Sequence, residues 1–256
     1  MNILVFDTET VGLNKPFCYD LGYLIFDTDE KTILAKKSRI IEQVWHNIPL
    51  FNTAYYADKR PLYVSALRGR TTKLSKWGYV CNEMRRDIAY YNVQCGFAYN
   101  SEFDERVFAY NCEWYHNVNP IETLPIYDIR GYFHKAIENS KDFENFCEEN
   151  EFFTDSGAYS TTAETAYKYI TNDIEFKEAH TALNDSEIEL EILRDCVYFH
   201  NLEWNGAYEA KKSIERNKVR TIELYKNKDL IFQDTYKKMI SKKSQNDLKI
   251  YLKEED

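Results

Sequence analysis

The chain has 256 residues and a net charge of −9, and its composition is 44% hydrophobic, 29% charged and 16% aromatic. This length accommodates one large α/β domain, with or without a small appendage, around a substantial core. The negative charge disfavours a protein that holds duplex DNA through a broad basic surface.

Cysteine spacing and hydropathy exclude two further classes of protein. The six cysteines include no CxxC pair, which indicates free thiols rather than a zinc site or a disulfide framework. No apolar stretch reaches the roughly 18 residues of a membrane span, and no basic leader precedes the first apolar run. We therefore expect a cytoplasmic protein with no membrane partner.

Sequence periodicity predicts a mixed arrangement of strands and helices. In chain order we expect strands over residues 3–9, 19–27 and 32–41, short helices and loops in an aromatic insertion over 45–78, a helix over 79–92, a strand over 95–99, a helix over 102–112, a strand over 123–129, and helices over 161–171 and 184–203. Turn residues between the second and third strands predict an antiparallel hairpin. This order of elements is typical of a mixed sheet covered by helices.

The C-terminal part differs from the rest of the chain in charge. Residues 206–256 hold 13 basic and 9 acidic residues, whereas residues 1–205 hold 20 basic and 33 acidic ones. We predict helices over residues 209–226 and 230–243, with these basic residues: Lys211, Lys212, Lys218, Arg220, Lys237, Lys238, Lys242 and Lys243. Such a mixed-charge run is typical of a solvated face. The alternative is a surface that guides nucleic acid or docks a polymerase or replication partner.

The first strand ends in two carboxylates, Asp7 and Glu9, within the sequence NILVFDTETVGL. Side chains two residues apart leave the same face of a strand, here roughly 6.5–7 Å apart at the backbone. That face continues from Val5 into the core, where an unpaired carboxylate loses its hydration unless a cation compensates it. The simpler alternative is a strand that reaches solvent at Asp7.

Two other acids begin helices on their core-directed faces. Asp104, in YNSEFD, shares a face with Val107 and Phe108, although the segment also fits a helix-capping box. Asp185, in HTALNDSE, opens the apolar stripe of the last predicted helix, where the helix dipole alone would favour an acid. His180 precedes Asp185 by five residues and is either a loop residue or a proton acceptor.

All four carboxylates therefore lie at the ends of apolar, core-directed elements. Carboxylate oxygens are the ligands that Mg²⁺ and Mn²⁺ prefer, and two such ions ~3.5–4 Å apart can stabilise both the attacking and the leaving oxygen of a phosphoryl displacement. A nearby histidine can accept a proton from the attacking water. The set indicates metal-assisted phosphodiester hydrolysis.

Three segments resemble the motifs of the DnaQ-like 3′–5′ exonucleases of the DEDDh subgroup: FDTETVG at residues 6–12, YNSEFD at 99–104 and HTALNDSE at 180–187. The resemblance covers about residues 2–203. It implies an α/β fold with a ribonuclease H-like mixed five-stranded sheet, whose first three strands are antiparallel and whose last two run parallel to the first. Residues 1–205 would form the exonuclease domain, with 45–78 as an insertion, and residues 206–256 a mainly helical C-terminal extension.

The resemblance also implies a role for each matched residue. Asp7, Glu9 and Asp185 would hold one Mg²⁺ or Mn²⁺ ion, Asp7 would also contact a second ion, and Asp104 would complete the acidic site. His180 would be the general base. Five further residues would bind the substrate, the first three as the lip of the pocket for the terminal nucleotide: Thr10, Val11, Gly12, Asn100 and Phe103.

The implied activity is that of a stand-alone, phage-like nuclease acting in DNA replication or repair. It would release nucleoside 5′-monophosphates from the 3′ ends of single-stranded DNA. Aromatic residues of the insertion are candidates for stacking on bases, namely Trp45, Tyr55, Tyr56 and Trp77. The alternatives are an exoribonuclease or oligoribonuclease, and a binding module that does not cut. The complete acid set and His180 argue against the last.

Overall fold

A computed structural model describes residues 1–215, 220–226, 229–236 and 249–254, with the backbone alone in the last three ranges. The chain divides into two compact units. The first comprises Met1–Phe152 and Ser160–Lys212, and the second comprises Phe153–Tyr159 and Ser213–Asp256. Among the described residues, no helix combines the length and the apolar character that crossing a bilayer requires.

The first unit is built on a mixed sheet. Its strands are β1 (Asn2–Val11), β2 (Phe17–Asp27), β3 (Thr32–Ile41), β4 (Lys73–Ser75), β5 (Val93–Ala98) and β6 (Ile126–Asp128), in the spatial order β4-β3-β2-β1-β5-β6. β1, β2 and β3 pair antiparallel, whereas β5 runs parallel to β1, and β6 runs parallel to β5. The five predicted strands and their directions are confirmed.

The sheet has one strand more than the five that were predicted. β4 pairs in parallel with β3 between Arg39 and Ile41 and forms a sheet edge. Its three residues are too few for an alternating pattern to be visible in the sequence. The rest of the insertion is helical, as expected, with α1 (Glu42–Trp45), α2 (Ile48–Phe51), a 3-10 helix (Ala57–Lys59) and α3 (Arg60–Gly69).

Longer helices cover the sheet: α4 (Trp77–Tyr90), α5 (Ser101–Trp114), α6 (Ile129–Ala136), α7 (Lys141–Glu149), α8 (Ala163–Thr171) and α9 (Ala182–Tyr198). Sequence periodicity predicts α4, α5, α8 and α9 but indicates neither α6 nor α7. Both missed helices begin with a side-chain cap, Asp128 for α6 and Ser140 for α7. Such caps satisfy backbone N–H groups that the first turn of a helix leaves free.

Strand β1 is buried on both faces. Leu4 and Phe6 pack on one face with residues of α4 and α5, including Trp77 and Phe108. Val5 is fully buried as well, and the pleat places it on the opposite face, against which α9 packs. Burial on both sides explains why the sequence of β1 is a continuous apolar run before Asp7.

Helix α9 approaches the sheet most closely at Gly22 of β2. A β carbon at Gly22 would lie 2.1 Å from the Leu183 nitrogen and 2.2 Å from the Ala182 carbonyl carbon. The Ser186 hydroxyl donates a hydrogen bond to the Gly22 carbonyl oxygen at 3.3 Å, and the Ala182 N–H donates to Asp20 Oδ2 at 3.0 Å. The first turn of α9 is thereby fixed on β2, beside the end of β1.

The second unit contains a three-stranded antiparallel sheet in the order β8-β7-β9. Its strands are β7 (Arg220–Lys226), β8 (Asp229–Tyr236) and β9 (Lys249–Glu254). The predicted helical extension is therefore wrong for these residues, and the described residues 209–215 contain no helix either. The β-branched and aromatic residues of β7 and β8 favour strands over helices. Residues 216–219 and 237–243 of the predicted helices, with Lys218, Lys237, Lys238, Lys242 and Lys243, lie outside the described residues.

The contact at Gly22 predicts a large effect of one methyl group. We expect Gly22→Ala to lower the free energy of unfolding by about 2–3 kcal/mol, because the added carbon overlaps helix backbone that cannot rotate away. Urea unfolding measures this loss. Gly69→Ala is the matched control, since nothing lies within 4 Å of its added carbon, and it changes stability by less than about 1 kcal/mol. Equal effects of the two substitutions would contradict the assigned packing.

Candidate active site

Asp7 and Glu9 lie on the face of β1 that α9 covers. Across the antiparallel pair, Asp7 is opposite Gly22 and Glu9 is opposite Asp20, and a bulge between Glu9 and Thr10 then shifts the register. Paired residues share a face of the sheet, so the two acids lie beside the position where α9 begins. Both side chains are half-buried.

Asp104 reaches the same edge of the sheet from α5. Because β5 runs parallel to β1, its end and the start of α5 lie next to the end of β1. Asn100 adopts the left-handed conformation with φ of 63° and turns the chain into the helix. Asp104 is buried, and its Oδ1 accepts a hydrogen bond of 2.6 Å from the Thr8 hydroxyl. Thr8 lies between Asp7 and Glu9, so this bond ties α5 to the acidic end of β1.

Asp185 and His180 complete the arrangement. Asp185 occupies the first turn of α9 and is 5% exposed. Within the described part of the chain, its Oδ1 has no hydrogen-bond partner. Glu9, His180 and Asp185 each offer a ligand atom, and these atoms all lie within 4.8 Å of one another. The fold thus brings the five predicted catalytic residues to one edge of the sheet.

Burial gives these acids strongly raised pKa values. Burial is the largest cause at each position, and repulsion by neighbouring carboxylates adds to it, so that the pKa of Glu9 rises to about 9 and that of Asp185 to about 8. Burial also raises the pKa of Asp104 to about 7, although the bond from Thr8 opposes this. The pKa of Asp7 lies well above its ordinary value because of burial and then the charge of Asp104.

These observations fit a divalent cation. An unpaired buried carboxylate oxygen, as at Asp185, is costly, and a bound cation would offset both the lost hydration and the mutual repulsion. Oxygen ligands from several carboxylates are what Mg²⁺ and Mn²⁺ prefer. The donor set therefore suits these ions better than a softer metal.

The insertion holds the histidine in place. The Tyr56 ring stacks on the His180 ring, with centroids 4.2 Å apart and planes inclined by 15°. Lys59 Nζ donates a hydrogen bond of 2.7 Å to the Ala179 carbonyl oxygen, and the Tyr63 hydroxyl lies 3.4 Å from the His180 carbonyl oxygen. His180 itself has a positive φ of 50°, an uncommon conformation for a residue with a side chain. These contacts fix a loop that would otherwise relax.

The surroundings of His180 keep its ring neutral at neutral pH. Burial lowers the pKa of His180, and the charge of Lys59 lowers it further. Its Nδ1 lies 3.6 Å from Oε2 of Glu178. A neutral imidazole has a free lone pair, so His180 can accept a proton under physiological conditions.

The predicted substrate-binding residues lie near the acids but differ in exposure. Gly12 is exposed and has a φ of 78°, and the Thr10 hydroxyl lies 3.4 Å from its carbonyl oxygen. Val11 is 2% exposed and packs in the apolar cluster beneath the insertion, so only its backbone is available to a ligand. Asn100 is exposed, and Phe103 is half-buried at the start of α5.

The aromatic residues of the insertion serve mainly as packing. Trp45 and Trp77 are buried, and Tyr56 is covered on one face by His180. Tyr55, 89% exposed, keeps a free surface of the kind that stacking on a base requires. The stacking role predicted for Trp45 and Trp77 is therefore wrong, because both side chains belong to the core.

Three further acids lie close to the site, and the sequence patterns did not indicate them. Asp20 caps α9, Glu178 lies beside His180, and Glu189 is buried one turn after Asp185 on α9. The spacing of four residues between Asp185 and Glu189 was a visible signal that both share a helix face. Asp20 gave no such signal, because its position opposite Glu9 depends on the strand register.

The chain has no match among protein-family models or curated protein sequences. Its fold is similar to that of the nuclease domain of 3′hExo, a DEDDh family member bound to rAMP, with a TM-score of 0.51, 12% identity, and coverage of 83% of this chain and 97% of that one. A 3′-exonuclease that recognises the histone mRNA stem-loop gives a TM-score of 0.51 with 11% identity over 84% of this chain and 70% of its own.

A third similar structure is Exonuclease I of E. coli in complex with a dT13 oligonucleotide, with a TM-score of 0.48 and 14% identity. The match covers 76% of this chain but only 41% of Exonuclease I. The similarity to the nuclease domain of 3′hExo, with its TM-score above 0.5, confirms at the level of the fold the resemblance seen in the motifs.

The raised pKa values predict how stability depends on pH. In the metal-free protein, Glu9, Asp104 and Asp185 have folded-state pKa values of about 9, 7 and 8. These exceed the values near ~4 of the unfolded chain, so the folded state binds more protons at intermediate pH and its stability falls as the pH rises. Thermal melting in EDTA should show this decline between about pH 5 and 9, and Mg²⁺ should suppress it. A melting temperature that rises with pH in EDTA would refute the assignment.

The stacking of Tyr56 predicts a spectroscopic signature. In the metal-free protein, His180 ring protons lie over the Tyr56 face and resonate upfield, because aromatic rings shield nuclei above them. We expect Tyr56→Leu to move these signals downfield, whereas Tyr56→Phe keeps the ring and leaves them nearly unchanged. NMR of ring-labelled histidine measures both variants, and unaltered shifts in Tyr56→Leu would exclude the stacked arrangement.

Proposed function

We propose that residues 1–205 form a metal-dependent 3′–5′ exonuclease domain that hydrolyses single-stranded nucleic acid from its 3′ end and releases nucleoside 5′-monophosphates. The observation that supports this proposal best is the convergence of buried carboxylates from β1, α5 and α9 beside a neutral histidine. Buried acids of this kind are found where a cation and a phosphate are bound together.

Asp7, Glu9, Asp104 and Asp185 would hold Mg²⁺ or Mn²⁺, with two ions in the proposed site. When bound, such ions supply positive charge that stabilises the attacking and leaving oxygens of a phosphoryl displacement. The acids also make substrate binding conditional, because without cations they would repel the phosphate. Divalent cations and nucleic acid should therefore bind cooperatively.

His180 would act as the general base. Its neutral imidazole accepts a proton from a water molecule as the water oxygen attacks the phosphorus and the bond from phosphorus to the 3′ oxygen breaks. Tyr56, Lys59 and Tyr63 hold the loop, so the imidazole need not be ordered during the reaction. The insertion thus contributes to catalysis through the position of His180.

The terminal nucleotide would lie against Gly12 and Phe103. Gly12 lets the backbone approach the substrate, since it is exposed and carries no side chain. Phe103 lies one residue before Asp104, and Arg106 stacks on its ring at 5.3 Å from the centroid. An aromatic ring backed by a cation can pack on a sugar or a base.

Single-stranded DNA is the substrate that we propose, with a role in replication or repair. Digestion of matched single-stranded DNA, RNA and short oligonucleotides compares this with the exoribonuclease and oligoribonuclease alternatives. Activity that collapses beyond a few nucleotides would favour the oligoribonuclease.

A replication partner that docks on residues 206–256 is also a proposal. Co-purification with and without that segment tests it.

The roles assigned to these residues predict that nuclease activity and metal binding can be lost separately. Asp7→Asn and Asp185→Asn should reduce Mg²⁺-dependent release of 5′-mononucleotides to background and weaken Mn²⁺ binding. His180→Ala should lower the rate by about 10²- to 10⁴-fold, the contribution of a general base, and leave Mn²⁺ binding largely intact. Release of labelled nucleotides and calorimetric Mn²⁺ titration measure the two properties.

Glu191→Gln is the matched control for these variants, because Glu191 lies on α9 but is exposed and pairs with Arg194. It should retain full activity. Digestion by highly purified Asp7→Asn protein at the rate of the unmodified protein would show that the acids do not form the catalytic centre.

A further inference from the structure

Glu189 is a fifth carboxylate at the acidic edge of the sheet, and the motif set does not include it. It lies four residues after Asp185 on α9, so the two side chains share a face of the helix, one turn apart. Glu189 is 3% exposed, which is rare for a glutamate without a compensating partner. Its position is therefore one that the fold maintains at a cost.

The Glu189 carboxylate lies beside the Tyr99 backbone, just beyond the end of β5. Oε2 is buried and, among the residues that the structure describes, has no hydrogen-bond partner. A buried charged oxygen without a partner is unfavourable unless a cation or another donor reaches it.

The electrostatic neighbours of Glu189 place it within the acidic site. Asp7 is repelled most by Asp104 and next by Glu189, ahead of Asp185 and Glu9. Glu189 in turn is repelled most by Asp104 and then by Asp185. It therefore lies near Asp7, Asp104 and Asp185, within the acidic site.

Asp20 is a buried acid with a structural role, and its surroundings differ from those of Glu189. Asp20 accepts the Ala182 N–H at the start of α9, where the helix dipole favours a negative charge. Glu189 lies in the second turn of the same helix, where the N–H groups are already used within the helix. Asp20 Oδ1, like Glu189 Oε2, has no hydrogen-bond partner among the described residues, but the helix N-terminus compensates the charge of Asp20 and not that of Glu189.

We propose that Glu189 is an additional carboxylate of the metal centre and that it stabilises a divalent cation on the side of Asp7 and Asp104, either as a ligand or through a bridging water. This inference rests on the proposed function only in that the function requires divalent cations. A cation at this position would pair with the otherwise unpartnered Oε2. The site would then be more negative than four carboxylates would make it.

Glu189→Gln tests the proposal, because glutamine keeps the volume of the side chain and one of its oxygens but removes the charge. In Mn²⁺ titrations followed by calorimetry and electron paramagnetic resonance, we expect at least one bound ion to lose about 10-fold or more in affinity. In EDTA at about pH 8, the melting temperature should rise, because the charge no longer repels its neighbours. The stabilisation by Mn²⁺ should shrink.

Glu191→Gln on the same helix is the control and should match the unmodified protein in both measurements. Unchanged Mn²⁺ affinity in Glu189→Gln would overturn the proposal. A lower melting temperature in EDTA would also overturn it, since that result assigns Glu189 a purely structural role. The comparison is independent of nuclease activity. If the unmodified protein binds Mn²⁺ but cuts no nucleic acid, the proposed function fails while the assignment of Glu189 is still decided by its affinity.

Discussion

The close contact between α9 and Gly22 determines the geometry of the whole site. Asp185 and His180 belong to α9 and the loop before it, whereas Asp7 and Glu9 belong to β1, and nothing in the local sequence links the two segments. The absence of a side chain at Gly22 lets the helix backbone reach the sheet opposite Asp7. Asp20 and Ser186 then fix the helix by hydrogen bonds. A larger residue at position 22 would separate the acids.

The buried carboxylates of the site lower the stability of the folded protein. Asp104, Asp185 and Glu189 are each at most 5% exposed, and every one has a pKa raised by burial. Evolution of stability alone would replace such a cluster by apolar residues of similar volume. Its presence at one edge of the sheet fits a function that requires concentrated negative charge. The proposed metal binding would supply part of the stability of the folded state.

Sequence patterns predicted those parts of the structure that depend on residues close together in the chain. The apolar run before Asp7 and the hairpin of β2 and β3 follow from side-chain alternation and turn residues, and the motifs placed Asp104, His180 and Asp185 at the ends of their elements. The stack of Tyr56 on His180 joins residues far apart in the chain, so no local pattern could indicate it. The strands β7 and β8 were mistaken for helices because their β-branched and aromatic residues were given too little weight.

The most direct test of the account is a crystal structure of the protein soaked in Mn²⁺ and recorded at the manganese absorption edge. Anomalous scattering locates the ions independently of any assumption about activity. We expect manganese peaks in contact with Asp7, Asp185 and Glu9, with a second peak on the side of Asp104 and Glu189. Well-ordered crystals with these carboxylates intact and no manganese bound between β1, α5 and α9 would contradict it.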